Sequence, residues 1–354
     1  MPTIPTTAQA WRFPVDQKTW NGHKSLELRE VQVSPPKQGE VLVKLHAAAL
    51  NYSKGIYPGP YTNGPDGQGL IPSCDGAGEV VAVGEGVTQW KKGDRVHSLF
   101  FENWFDGPIK DEHQASTVGA GTTGCLAQYR IFDAKTLLPI PAHLSYEEAS
   151  TIPCAAVTAW QAFFEKIPVT KDSTVLVLGS GGVSVFGAQL AKAAGARVIA
   201  TTSSKEKEDK YKRLGVDEII NYRENPEWSE KVKAFTEGRG VDQVLEVGGQ
   251  GTLVQSLKSV QRGGLVHVIG VVAQGNPAGE TSLQDVALML LFGQATMSGL
   301  LVGSKAMCER LDAFMAEHRI KPVIDRVFGW TEVVDALDYQ LTGSHFGKIV
   351  IKID

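Results

Sequence analysis

The sequence predicts an α/β protein of two parts, one β-rich and one built as a doubly wound parallel sheet. Three observations carry that expectation. From about Pro153 short apolar segments alternate with helical patterns, the rhythm of right-handed βαβ units. One of those segments, residues 175–178, runs straight into glycines at 179, 181 and 182. And 354 residues suffice for about two domains at roughly 150 residues each.

The amino-terminal part supplies the β-rich half. Residues 41–46 (Val-Leu-Val-Lys-Leu-His) have strand composition, and residues 79–83 form a strand ending at the Gly-Glu-Gly turn of 84–86. Another turn introduces Asp94-Arg95-Val96. Two long loops, 51–69 and 100–124, also belong to this part, the second carrying Trp104 and Phe105; such loops are often functional. In the second part strands are expected at 175–178, 197–201, 218–220, 243–247 and 265–269, with helices over 185–194 and 204–214. The strand-like stretch 296–302 could close that sheet, and a helix over 305–317 and a strand over 346–353 complete the chain.

Composition excludes several function classes. With 42% hydrophobic and 21% charged residues the chain can form packed cores. Lys and Arg total 35 against 39 Asp and Glu, a net charge of −4, which argues against a nucleic-acid partner. Residues 1–13 lack the basic and apolar blocks of a signal peptide. The longest uncharged window, 173–191, approaches spanning length, but its glycines and serines fit a strand, turn and helix, so no membrane partner is expected. Four cysteines make no disulfide scaffold, and a reducing, cytoplasmic setting follows.

The glycine turn has a chemical reading. A dinucleotide pyrophosphate needs backbone free of side chains and the partial positive charge of a helix N-terminus. Gly179, Ser180, Gly181 and Gly182 offer both, although Ser184 stands where the fingerprint has Gly or Ala. About 20 residues beyond the first glycine, NAD sites place an acid on the ribose hydroxyls. Here residues 201–207 read Thr-Thr-Ser-Ser-Lys-Glu-Lys, with no acid before Glu206. The hydroxyls of Ser203 and Ser204 and the ammonium groups of Lys205 and Lys207 suit a 2′-phosphate, so NADP(H) is the expected cofactor. Ser203 with Glu206 also makes a capping box, a compatible reading.

Across nearly its whole length the chain resembles the medium-chain dehydrogenase/reductase superfamily. The resemblance rests on Pro72-Ser-Cys-Asp-Gly-Ala-Gly-Glu-Val-Val-Ala-Val-Gly84, Gly93-Asp-Arg-Val96, Leu144-Ser-Tyr-Glu-Glu-Ala-Ser-Thr-Ile-Pro-Cys154, Thr158-Ala-Trp160, the turn 179–184 and Val241-Asp-Gln-Val-Leu-Glu-Val-Gly248. It implies a GroES-like catalytic domain over 1–153 and 303–354 and a Rossmann cofactor domain over 154–302. It also implies a cleft between them and a homodimer joined near residues 296–302. Zinc enzymes of this family use a Cys, a His followed by Glu, and a second Cys. The corresponding positions here carry Asn51, Cys74-Asp75 and Cys154, so no metal is expected. Cys74, Asp75 and Cys154 stay open as a residual site, against the alternative of small buried hydrophobes. The four-thiolate structural lobe is missing, since only Cys125 lies between Val96 and Gln128.

Asn51-Tyr52 is similar to the motif of zinc-free quinone oxidoreductases and enone reductases, although Lys54 stands where that motif has an acid. Asn51, Tyr52 and Lys54 are expected to line the substrate end of the cleft as its catalytic residues, and the resemblance implies Lys207 and Tyr222 on the NADPH phosphate. It places Thr158 near the nicotinamide, Val183 beneath it, and Gly248, Gly270 and Val271 at the carboxyl edge of the sheet. Leu301 and Lys348 would reach the cofactor or the cleft wall. Without a metal no Lewis acid polarises a simple alcohol, whereas an enolate oxygen can be held by preorganised donors. The expectation is hydride transfer from NADPH to a small electrophile: an enal, enone, quinone or ketone. Tyr52 or water would supply the proton. The alternatives are an alcohol dehydrogenase with an atypical zinc site and a crystallin-like cofactor binder without activity.

Overall fold

The computed structural model describes residues 4–51, 63–270 and 282–354. The chain divides into two compact units, Met1–Val157 with Gly303–Asp354, and Thr158–Val302. Among the described residues no helix is long and apolar enough to cross a membrane.

The first unit begins with β1 (Thr7–Arg12) and β2 (Glu27–Gln32), an antiparallel pair. There follow β3 (Glu40–Leu50), β4 (Asp75–Val83), β5 (Arg95–Ser98), α1 (Asp111–Gln114), β6 (Tyr129–Asp133), β7 (Leu137–Pro139) and α2 (Tyr146–Ala149). A π-helical turn, Ile152–Ala156, carries Cys154; such turns recur at functional sites. α3 (Val157–Trp160) leads into the second unit: β8 (Thr174–Val177), α4 (Gly182–Ala193), β9 (Arg197–Thr202), α5 (Lys205–Arg213), β10 (Glu218–Asn221), α6 (Trp228–Phe235), β11 (Val241–Glu246), α7 (Leu253–Ser259), β12 (Val260–Val268), α8 (Leu283–Gly293) and β13 (Thr296–Gly299). The chain then returns to the first unit as α9 (Lys305–Glu317), β14 (Ile324–Phe328), α10 (Val333–Leu341) and β15 (Lys348–Lys352).

β3 is the spine of the first unit. Its sheet runs β14-β15-β3-β4-β5-β7, with β6 also on β3. The strand extends past the expected residues 41–46 because Ala47, Ala48 and Ala49 are small enough to pack fully buried between β4 and β15. Tertiary pairing here overrides the poor strand propensity of alanine. β15 starts later than expected because Gly347 turns with φ +87°, and a Cβ there would lie 2.4 Å from the Val323 carbonyl oxygen.

The second unit is a parallel sheet in the order β10-β9-β8-β11-β12-β13. Numbered from β8, that order is 3-2-1-4-5-6, the dinucleotide-binding arrangement whose switch point lies between β8 and β11. β8 is buried throughout, as a strand covered on both faces must be. β13 stops at Gly299, short of the expected 302, and Val302 takes the left-handed φ of +53° as the chain leaves the unit.

Candidate active site

Sheet register assembles a polar cluster at one end of β3 in the first unit. Ala49 pairs with Asp75 at the start of β4, and Leu50 with Ile349 beside Lys348 in β15. Asn51, Asp75 and Lys348 therefore meet although Lys348 lies almost three hundred residues along the chain. The Lys348 ammonium donates to the Leu50 carbonyl at 2.7 Å, Asn51 Oδ1 at 2.6 Å and Asp75 Oδ2 at 3.2 Å. All three of its hydrogens are thereby engaged. An ammonium has no acceptor, so the Asn51 amide must turn its oxygen to Lys348 and its nitrogen away. Asn51 Nδ2 donates to Asp75 Oδ2 at 2.8 Å and to Cys74 Sγ at 3.3 Å.

Asp75 is fully buried, and its other oxygen accepts from the Cys74 thiol at 3.3 Å. A hydrogen bond with Cys154, burial and the Asp75 carboxylate push the Cys74 thiol up, so it stays protonated at neutral pH. Cys74 is presented by a strained turn: Ser73 has φ +71°, held by its hydroxyl on the Ala49 carbonyl at 3.0 Å. The donors a zinc ion would use are thus Cys74, Asp75 and Cys154, around an ammonium and an amide N–H. Tyr52 and Lys54 lie outside the described residues.

In the second unit the glycine turn sits at the carboxyl end of β8, at the switch point. Gly179 has φ +71°, a conformation that glycine adopts without cost. Its N–H donates to Thr201 Oγ1 at 3.1 Å, and its carbonyl accepts from the Tyr211 hydroxyl at 2.6 Å. Gly181 caps α4, which begins at Gly182, three residues before the expected start. Among the described residues, a Cβ at Gly181 would meet no atom beyond its chain neighbours within 4 Å, so the turn has room for a pyrophosphate over the α4 N-terminus. Val183 follows in the first turn of α4. Ser184 explains its own departure from the fingerprint: buried, it donates to the Leu178 carbonyl at 2.5 Å and ties the helix to the strand.

The phosphate-loop candidates gather at the ends of β9 and β10. Asn221 pairs with Thr202, and the Tyr222 N–H donates to the Thr202 carbonyl at 3.0 Å, which brings Tyr222 next to Ser203 and Ser204. Ser204, not Ser203, caps α5; its Oγ accepts from the Lys207 N–H at 3.4 Å. The capping box expected from Ser203 and Glu206 does not form: Ser204 holds the extended backbone that a cap requires, and the residue three on is then Lys207, which has no acceptor to return to the cap. Lys207 is buried in the first turn of α5, and Glu206 is drawn to Lys210 at 3.0 Å.

Gly248 and Gly270 follow β11 and β12 at the same carboxyl edge. Val271 lies outside the described residues. Thr158 is buried in α3, and Leu301 is 43% exposed beyond β13. Sequence reasoning passed over Glu246. Fully buried, its Oε1 accepts from the N–H groups of Gly248 at 2.7 Å and Gly249 at 2.8 Å and from Thr252 Oγ1 at 2.5 Å, while Oε2 accepts from Ser256. An acid inside the apolar run Val-Leu-Glu-Val was the available signal. Thr201 and Tyr211, which clasp Gly179, had none.

Comparison with known proteins agrees with this architecture. The family described as alcohol dehydrogenase GroES-like domain matches residues 37–142, and that described as zinc-binding dehydrogenase matches residues 182–317. A zinc-type alcohol dehydrogenase-like protein of Schizosaccharomyces pombe is 40% identical, over 94% of this chain and 97% of that one. The 2-methylene-furan-3-one reductase of Solanum lycopersicum is 32% identical, over 99% of this chain and 80% of its own. A solved NAD-dependent alcohol dehydrogenase superposes with a TM-score of 0.84 at 29% identity, covering 98% of this chain and all of the other. A glycine turn at the switch point of a parallel sheet and a GroES-like unit completed by the returning carboxyl terminus meet in one chain, an oxidoreductase that belongs to the medium-chain dehydrogenase/reductase superfamily.

Proposed function

We propose that the protein transfers hydride from NADPH to an activated double bond, a quinone or a carbonyl of a small electrophile, with no metal at the Asn51 cluster. One observation carries this reading: the Lys348 ammonium sits among the donors a zinc ion would need. Asn51 offers Cys74 an N–H and not a lone pair. A dication placed there would face an ammonium already bonded to Asp75, so the residues do not fit zinc.

Bound NADP(H) supplies the hydride. Gly179, Ser180, Gly181, Gly182 and Val183 would hold its pyrophosphate end, and Ser203, Ser204, Lys207 and Tyr222 its 2′-phosphate. Asn51 then acts on the substrate oxygen. One of its two amide hydrogens rests on sulfur, a weak acceptor, and an enolate oxygen is a stronger one. Lys348 and Asp75 keep that amide oriented while charge develops. Tyr52 and Lys54 remain the candidate proton source and neighbour. The name of the tomato relative describes reduction of a methylene-furanone, a double bond conjugated to a carbonyl, which favours an activated alkene. The protein would work as a homodimer through the β13 edge.

Steady-state oxidation of NADPH and of NADH with an enone, a quinone and a simple ketone tests the proposal, with Cys154→Ser measured alongside. The expected result is NADPH preference, turnover of the enone or quinone, and turnover retained in Cys154→Ser. Activity confined to simple alcohols with NAD and abolished by Cys154→Ser would mark a zinc alcohol dehydrogenase instead.

A further inference from the structure

A second group of metal-type donors lies in the first unit and shares no donor with the Asn51 cluster. Cys308 and Asp312 stand four residues apart on α9, and so on one face of that helix. The face meets His97 of β5, which is fully buried, as is Cys308. His97 Nε2 lies 2.9 Å from Asp312 Oδ2, and the ligand atoms of all three residues lie within 4.8 Å of one another. The other ring nitrogen, Nδ1, lies 2.9 Å from the Ser98 carbonyl oxygen. A carbonyl can only accept, so Nδ1 carries a hydrogen and Nε2 is the nitrogen turned to the cluster. Metal-binding histidines are commonly fixed in this way, by a backbone carbonyl on the opposite nitrogen. Asp312 Oδ1 adds an independent observation, because it is buried with no hydrogen-bond partner among the described residues.

We propose that His97, Cys308 and Asp312 bind a zinc-class divalent cation that clamps α9 to β5. Imidazole, thiolate and carboxylate are a set that zinc accepts, and three protein ligands leave a fourth tetrahedral position for water. Bonds of roughly 2.0–2.3 Å separate tetrahedral ligand atoms by roughly 3.3–3.7 Å. His97 and Asp312 therefore need to part by only a few tenths of an ångström from their hydrogen-bonded distance. The charges also close: one dication, one thiolate and one carboxylate sum to zero, which a buried site requires. Binding releases two protons to solvent, one from the Cys308 thiol and one from the His97–Asp312 hydrogen bond. The clamp would reach the reacting cluster through Ser98, whose Oγ bonds the Gly76 N–H and the Cys74 carbonyl, each at 3.0 Å.

Cobalt(II) titration of the metal-stripped, full-length protein tests the site. One equivalent should bind with a thiolate-to-cobalt charge-transfer band and raise the melting temperature. The band should vanish in Cys308→Ser and persist in Cys154→Ser. Asp312→Asn keeps the thiol and the shape of the site, and should weaken cobalt binding at least about tenfold. Absence of the band in the wild type, its survival in Cys308→Ser, or unchanged affinity in Asp312→Asn would overturn the proposal.

Discussion

At the scale of single residues, the arrangement around Lys348 ties stability to the proposed catalytic cluster. Replacing Lys348 by Met would leave the Asp75 carboxylate buried without its cation, which typically costs about 3–5 kcal/mol. Urea unfolding should show that loss, and the double variant Lys348→Met/Asp75→Asn should recover most of it; equal midpoints for the two variants would sink the argument. The resemblance led only to the expectation that Lys348 would reach the cofactor or the cleft wall. Its place beside Asn51 depends on β15 pairing with β3, a contact that no local pattern encodes. A second residue governs acid stability. Burial first, and then Lys166, lower His267 from 6.5 to about 4. Its folded value lies below its unfolded one, so the unfolded chain binds more protons between those limits and stability falls as pH drops from about 6.5 to about 4. The full penalty is about 3 kcal/mol. Urea midpoints measured across this range should decline less steeply in His267→Gln than in the wild type.

At the scale of elements, the parallel sheet was legible because most of its strands hold a short apolar run followed by turn residues. Strand and helix positions in the second unit agree with expectation to within a few residues, apart from β12 and β13. β12 begins at Val260, five residues early, through Gln261-Arg-Gly-Gly264, which no apolar pattern marks. The first unit was harder to read, since glycine and alanine form strands there for steric reasons. Gly78 is the clearest case: a Cβ would lie 2.1 Å from the Lys44 carbonyl oxygen of the neighbouring β3. Gly78→Ala must push those strands apart, at a cost typical of overpacking, roughly 1–3 kcal/mol. Thermal unfolding should reveal it, and a variant as stable as wild type would refute the close approach. α5 makes a different prediction, about binding. Its Tyr211 holds the Gly179 carbonyl, so the helix proposed to carry the phosphate loop also fixes the turn proposed for the pyrophosphate. Tyr211→Phe loses one neutral hydrogen bond of about 0.5–1.5 kcal/mol. That loss should appear as a severalfold rise in the NADPH dissociation constant with kcat little changed; an equal fall in kcat would point to a wider disturbance.

At the scale of the whole molecule, the sequence revealed that the carboxyl terminus rejoins the first unit through the family resemblance and not through any local signal. The homodimer that the resemblance implies has a local signal, and it is testable. Among the described residues β13 pairs only with β12, so its outer side is an open strand edge. Beside it α8 turns large apolar side chains outward: Leu283 is 90% exposed, Leu291 67% and Phe292 70%. α8 contains no buried residue, unlike α4, which buries seven. A helix so apolar and so exposed, next to an unpaired edge, is a liability unless something covers it. A second copy meeting it across a twofold axis would pair β13 with β13 and bury the same side chains on both sides. Burying each Leu or Phe is worth about 1.5–3 kcal/mol, so a charge at the centre should split the dimer. Light scattering after gel filtration is expected to give twice the protomer mass for the wild type and the protomer mass for Leu291→Asp/Phe292→Asp. Circular dichroism should show the variant still folded, because neither side chain belongs to the core of its own protomer. A wild type that runs at the protomer mass at micromolar concentration would leave the apolar face of α8 to some other partner and remove the β13 edge as the subunit junction.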